Sequence, residues 1–277
     1  MNINASTTTL TRLDVPYGGG PTESLCVDIY SPSAAGLYPA LLCLHGGAWQ
    51  HGYQRQYQSW GPWLAERGFV LVAVDYRLSQ VNPGWPGVWH DVCRSLDWII
   101  ANASSLQIDA TRIAAIGDSV GAHMAAMLSL DERTSPHIRA MVGVYGVYDL
   151  PEWWRVSQPP HRVDNPVLKL MGKAYGEAKE DYESFSPLHR LQRLKGRPSA
   201  RYFIIHGDQD TRVHHNQSER FVTALREKHV QVEAMLIPGA GHSWFTFAED
   251  HSARRRVDEE PNATVGPALL RFLADMS

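Results

Sequence analysis

Short apolar runs and amphipathic stretches alternate along this chain. Residues 40–44 (ALLCL), 70–74 (VLVAV), 113–116 (IAAI), 140–144 (AMVGV), 202–205 (YFII) and 232–237 (VEAMLI) are short and mostly stop at Gly, His, Asp or Pro. Such runs predict strands buried on both faces, as in a parallel sheet. Between them lie stretches of helical spacing. In 88–101, Val88, Val92, Leu96 and Ile99 recur every three or four residues. In 215–228 the stripe is Phe221, Val222 and Leu225, and 265–274 forms a last helix near the end of the sequence. Strand and helix alternating in this way predict one α/β domain with a mainly parallel sheet flanked by helices. Residues 25–30 are expected to add an antiparallel edge. One stretch breaks the rhythm: Leu150 to about Lys195 is far longer than an ordinary connection, and is expected to form a lid-like insertion over the strand ends.

Composition changes this picture little. Of 277 residues, 44% are hydrophobic and 20% charged, and the formal net charge is −3 from 26 basic and 29 acidic residues. That balance gives no electrostatic case for nucleic acid or an anionic membrane. The densest basic run, Arg254-Arg255-Arg256, is followed at once by Asp258-Glu259-Glu260 and reads as a solvated segment. No secretory signal is visible and no apolar run approaches the ~18 residues of a membrane helix, so the expected location is cytoplasmic. Cys26, Cys43 and Cys93 lie in apolar segments and are expected as buried free thiols. No His/Cys cluster has metal-ligand spacing and no phosphate or dinucleotide loop occurs, so no metal and no cofactor are expected. Nothing in the sequence opposes self-association into a homo-oligomer.

Parallel sheets place their chemistry at the carboxyl ends of the strands. There the chain reads Gly117-Asp118-Ser119-Val120-Gly121, a G-x-S-x-G between a predicted strand and helix. The glycines permit a turn tight enough to hold the Ser119 hydroxyl above the sheet. A serine nucleophile needs a base, and the base an orienting acid. Asp208 and Asp210 follow the strand at 202–205, and His242 follows the strand at 232–237. Ser119, Asp210 and His242 are the favoured set. Asp208 competes as a turn residue, and Asp149 lies one strand earlier. His214 and His215 begin a helix and are expected at the surface. His45-Gly46-Gly47-Ala48-Trp49 follows another strand, with adjacent glycines that leave N–H groups open. Gly46 or Gly47, with Val120, are the expected oxyanion donors.

Together "HGGAW", "VDYRLS", "IGDSVGAH", "HGDQD" and "GAGHSW" resemble the α/β-hydrolase carboxylesterases, in order, from about Leu25 onward. The "HGDQDTRV" segment is similar to the feruloyl-esterase-like and acetylesterase branch, related to the hormone-sensitive-lipase-like esterases and the prolyl-oligopeptidase catalytic domain. In that branch the second Asp is the acid, which implies Asp210. The resemblance implies the α/β-hydrolase fold and a serine carboxylesterase acting on small or aromatic esters. An arylformamidase or small-peptide hydrolase would use the same triad, and a non-catalytic binding protein would be expected to lack part of it. Val120 and Ala122 replace a common Ala and Gly; Val120 is expected to narrow the acyl site. Asp75-Tyr76-Arg77 reads as a structural ion pair, Asp118 as a brace for the turn, and His123 as a packed histidine. Trp49, Trp153, Trp154 and Trp244 lie near these motifs, either contacting a bulky ester or packing the insertion onto the sheet.

Overall fold

The structure is a computed structural model describing residues 9–20, 23–157, 165–247 and 253–276. The strands are β1 (Thr9–Gly20), β2 (Glu23–Pro32), β3 (Tyr38–Leu44), β4 (Val70–Val74), β5 (Ile108–Asp118), β6 (Ile138–Val144), β7 (Arg201–Gly207) and β8 (Val232–Ile237). Among the described residues they form one sheet in the order β1-β2-β4-β3-β5-β6-β7-β8. β1 and β2 pair antiparallel, as do β2 and β4, and every later pairing is parallel.

Helices cover both faces: α1 (Trp60–Ala65), α2 (Gly87–Ala101), α3 (Val120–Leu130), α4 (Leu150–Ser157), α5 (Pro166–Met171), α6 (Lys179–Ser184), α7 (Pro187–Arg193), α8 (Asn216–Glu227) and α9 (Asn262–Leu273). Side chains alternate across each strand. Leu42, Leu44 and Val72 enter one apolar layer with α2, α3 and α8, while Leu41, Cys43 and Leu71 enter the other with α1 and α9. This is the α/β-hydrolase architecture that the motifs implied.

Three expectations need correction. Residues 25–30 are antiparallel but not an edge, because β1 lies outside β2. β1 escaped detection because it is irregular: its register shifts twice and Asp14 has φ 55°. β8 is not buried on both faces, since it has one neighbour and Glu233, Ala234 and Leu236 are exposed. The cysteines are free, with Cys43 and Cys93 buried but Cys26 only half-buried. The long stretch after Leu150 holds α4 to α7; its residues 158–164 lie outside the described residues. Among the described residues, no helix is long and apolar enough to cross a membrane.

Candidate active site

Ser119 sits between β5 and α3 with φ 55° and ψ −120°, a conformation that L side chains rarely adopt. Its N–H donates to the Val144 carbonyl (2.8 Å). The flanking glycines are required by close approach. A Cβ at Gly121 would strike the Leu44 carbonyl oxygen, and one at Gly117 would strike Gly121 itself. The strain is therefore held by the crossing of β5 with the segment after β3.

Ser119 Oγ lies 3.0 Å from His242 Nε2, and His242 Nδ1 lies 2.6 Å from Asp210 Oδ2. The other Asp210 oxygen accepts the Arg212 and Val213 N–H groups, each at 2.9 Å. A carboxylate at Nδ1 fixes that nitrogen as the proton carrier and leaves Nε2 to accept from the serine. Burial alone would raise the Asp210 carboxyl, but hydrogen bonds from His206 and His242 carry it well below the usual carboxylate range. Burial also pulls the His242 imidazole below its ordinary pKa, and Asp210 only partly offsets this. The imidazole is thus neutral, and able to accept a proton, in neutral solution.

The rival acids have other work. Asp208 Oδ1 accepts the Gly239 N–H (2.7 Å) and so shapes the loop that leads to His242. Asp149 pairs with Arg220 (2.7 Å), faces His189, and accepts the Glu152 N–H at the start of α4. His214 and His215 stack on each other, and His215 faces Glu219. His123 is fully buried with Nε2 against the Phe185 carbonyl (2.6 Å), as a packed histidine would be. Arg77 pairs with Asp91 of α2, not with Asp75, which accepts the Gln54 N–H instead.

Asp118 braces the turn more widely than its position suggests. Its Oδ1 accepts from the Gly46 N–H (3.1 Å) and the Tyr57 hydroxyl (3.0 Å), while Oδ2 faces the Thr246 and Tyr145 hydroxyls. Burial raises this carboxyl to about 6. The bond from Gly46 corrects the donor assignment, because that N–H is committed to Asp118. The N–H groups of Gly47 and Ala48 meet no acceptor among the described residues. Val120 opens α3, where the first N–H groups of a helix have no intrahelical partner.

A cavity of about 300 Å³ opens beside Ser119 and His242, walled by Gly47, Ala48, His51, Trp153, Arg212, Val213 and Phe247. Of the four tryptophans, only Trp153 lines it. Trp49 is fully buried against His123 and Trp153, Trp154 packs on Tyr175 and Tyr182, and Trp244 on Tyr145 and Phe245. The Val120 side chain is buried in the apolar layer and is not part of the wall, so it does not narrow the site. Arg212 and Val213 directly follow the acid, so the "DTRV" spacing carried a signal for them; nothing marked His51 or Phe247. His206 behind Asp210 was also missed. A larger hollow of about 540 Å³ near Asp131, Arg190 and Lys195 lacks any nucleophile–base pair and is a surface groove.

The sheet, the strained turn and the strand-end loops define a member of the α/β-hydrolase class. Residues 27–225, well over half of the chain, match the BD-FAE family, and the chain belongs to that family. It is 30% identical to Esterase LipC of Mycobacterium tuberculosis over 250 residues, which cover 84% of this chain and 60% of LipC. It is 32% identical to the probable carboxylic ester hydrolase LipM of the same organism, covering 81% of this chain and 54% of LipM. A probable isoprenylcysteine alpha-carbonyl methylesterase of Arabidopsis thaliana, ICMEL2, is 26% identical over 84% of this chain and 57% of its own length. The chain thus spans at most about 60% of the length of these relatives. Among solved structures, Thermogutta terrifontis esterase 2 phosphorylated by paraoxon shares the fold, with a TM-score of 0.76 at 22% identity, covering 96% of this chain and 94% of that one.

Proposed function

We propose that this chain is a serine carboxylesterase acting on small or aromatic carboxylic esters. The observation that carries the reading is the relay from Ser119 Oγ through His242 to Asp210, at 3.0 and 2.6 Å. Ser119 attacks the ester carbonyl as its proton passes to His242 Nε2. Asp210 holds the imidazole tautomer and stabilises the imidazolium that forms. The N–H groups of Gly47 and Val120, with Ala48 beside them, receive the oxyanion as negative charge develops. His242 then protonates the leaving alcohol, and water repeats the sequence on the acyl-enzyme. A cavity of about 300 Å³ suits a short or single-ring ester. The insertion, on this reading, belongs to the same domain and supplies a wall through Trp153.

Family membership and the ester names of LipC and LipM support ester over formamide or peptide chemistry. The test is Ser119→Ala, assayed with p-nitrophenyl acetate and with a fluorophosphonate label followed by peptide mapping. The expected loss in kcat is on the order of 10⁴-fold or more. Labelling at another residue, or turnover surviving the substitution, would end the proposal. A kcat/KM higher for N-formylkynurenine than for any ester would replace it with the formamidase reading.

A further inference from the structure

His206 stands in β7, four residues before Asp210, and is buried. Its Nε2 lies 2.8 Å from the Val213 carbonyl and 3.3 Å from Asp210 Oδ2. Both neighbours accept and neither can donate, so Nε2 carries the hydrogen. Nδ1 lies 2.7 Å from Ser218 Oγ on α8 and, in the neutral ring, accepts from that hydroxyl. The acceptors at Nε2 thereby set the tautomer of His206, and the Ser218 hydroxyl supports it from α8.

Asp210 Oδ2 consequently sits between two imidazoles, with His242 Nδ1 at 2.6 Å and His206 Nε2 at 3.3 Å. Its Oδ1 takes the Arg212 and Val213 N–H groups. A carboxylate has about four lone-pair sites, and four donors surround this one. Val213 is engaged at both ends, its N–H by Asp210 and its carbonyl by His206. The ring thus closes the loop that carries the acid.

We propose that His206 is a positioning residue: its Nε2–H, shared between Asp210 Oδ2 and the Val213 carbonyl, holds the acid in the plane that orients His242. The proposal rests on the esterase reading only for its kinetic consequence. The direction of the charge effects agrees. After the opposing burial, the His206 hydrogen bond leads the influences that lower the Asp210 carboxyl. Without His206 the carboxylate charge concentrates on His242, which raises the imidazole's pKa. The titratable groups His215, Glu219 and Arg226 line a hollow of about 300 Å³ between α8 and β8 that reaches His206 and Ser218, and His242 is faced in addition by the Tyr145 ring (centroids 4.6 Å apart) and influenced by Arg212.

The test compares His206→Phe, His206→Gln and Ser218→Ala in the full chain. Phe keeps a ring without a donor, whereas the Gln amide nitrogen reaches the Nε2 position and can donate to the same oxygens. His206→Phe should lower kcat about 10–100-fold, the scale for removing an outer partner of a functional group, with KM little changed. The acid limb of its pH profile should move to higher pH. His206→Gln should recover most of kcat and restore the limb, and Ser218→Ala should show a smaller shift in the same direction. An NMR titration of the His242 imidazole reads the same effect without turnover. A wild-type protein without Ser119-dependent turnover would therefore sink the esterase reading while the titration still judged His206. Wild-type kcat and an unmoved His242 titration in folded His206→Phe would overturn the proposal, as would Gln and Phe variants equally impaired. If His206→Phe does not fold, Ser218→Ala decides: a moved titration supports the proposal and an unmoved one overturns it.

Discussion

Replacing Asp210 with Asn tests the relay at its least redundant point. The variant keeps the shape of the side chain, and its carbonyl oxygen can still accept the Arg212 and Val213 N–H groups that now meet Oδ1. The amide NH₂ then faces His242 Nδ1, where the wild type has an acceptor at 2.6 Å. Two donors cannot share that contact. The imidazole therefore moves its hydrogen to Nε2, the nitrogen 3.0 Å from Ser119 Oγ, and can no longer take the serine proton. Turning the amide over would relieve this contact only by aiming the NH₂ at the Arg212 and Val213 N–H groups, two donors that need an acceptor at Oδ1. A tautomer error of this kind costs about 10⁴ in kcat in the serine-protease triad, or about 5.4 kcal/mol. The assay is kcat with p-nitrophenyl butyrate, with fluorophosphonate labelling rate and thermal midpoint measured alongside. Asp208→Asn should lose far less rate, since Asp208 acts on the Gly239 turn, and Asp149→Asn should show mainly in stability through its ion pair with Arg220. A folded Asp210→Asn within tenfold of wild type, or a near-dead, well-folded Asp149→Asn, would refute the reasoning.

Two further outcomes follow from buried groups. The Asp118 carboxyl is raised from 3.8 to about 6 by burial, so the native state binds that proton more tightly than the unfolded chain and loses stability as pH climbs through this window. The size is up to about 3 kcal/mol. Asp118→Asn should thus gain in thermal midpoint relative to wild type between pH 4 and pH 8, and a difference that stays flat with pH would refute the assignment. Trp49→Ala should cost about 3–5 kcal/mol in denaturant unfolding and leave the ratio of kcat/KM for hexanoyl over acetyl esters unchanged. Trp153→Ala should raise that ratio by widening the cavity, and the reverse pattern would exchange their roles.

The relay was legible because each member follows a strand end that its own neighbours announce. Gly117 and Gly121 bracket Ser119, and "HGDQD" and "GAGH" follow two apolar runs. Those signals are local, and the parallel sheet turns local strand ends into one shared edge. What was misread depends on partners distant in sequence. The Gly46 N–H was lost to Asp118, 72 residues away, and no spacing within "HGGAW" reveals that. Trp49, Trp154 and Trp244 stood close to the motifs, but proximity in sequence does not say which way a ring points. β1 hid because its two register shifts destroy the alternation that marks a strand, and β8 looked deeply buried because composition cannot distinguish an outer strand from an inner one. His206 lay in plain view as the last side chain of an apolar run, where a histidine reads as a terminator.

The four hydroxyl and amide donors gathered on Asp118 come from separate parts of the chain: Gly46, Tyr57, Tyr145 and Thr246. For anyone exchanging segments between this protein and its relatives, these parts form one transplantable unit. A graft of the segment after β3 alone would exchange Gly46 and Tyr57, the donors to Asp118 Oδ1, while Oδ2 kept the hydroxyls of Tyr145 and Thr246. A graft of the loop around His242 alone would do the reverse. Substitutions at these positions share an acceptor, so their effects should not add. Specificity is more safely recoded from the wall that Asp118 does not touch, at Trp153, Arg212 and Val213.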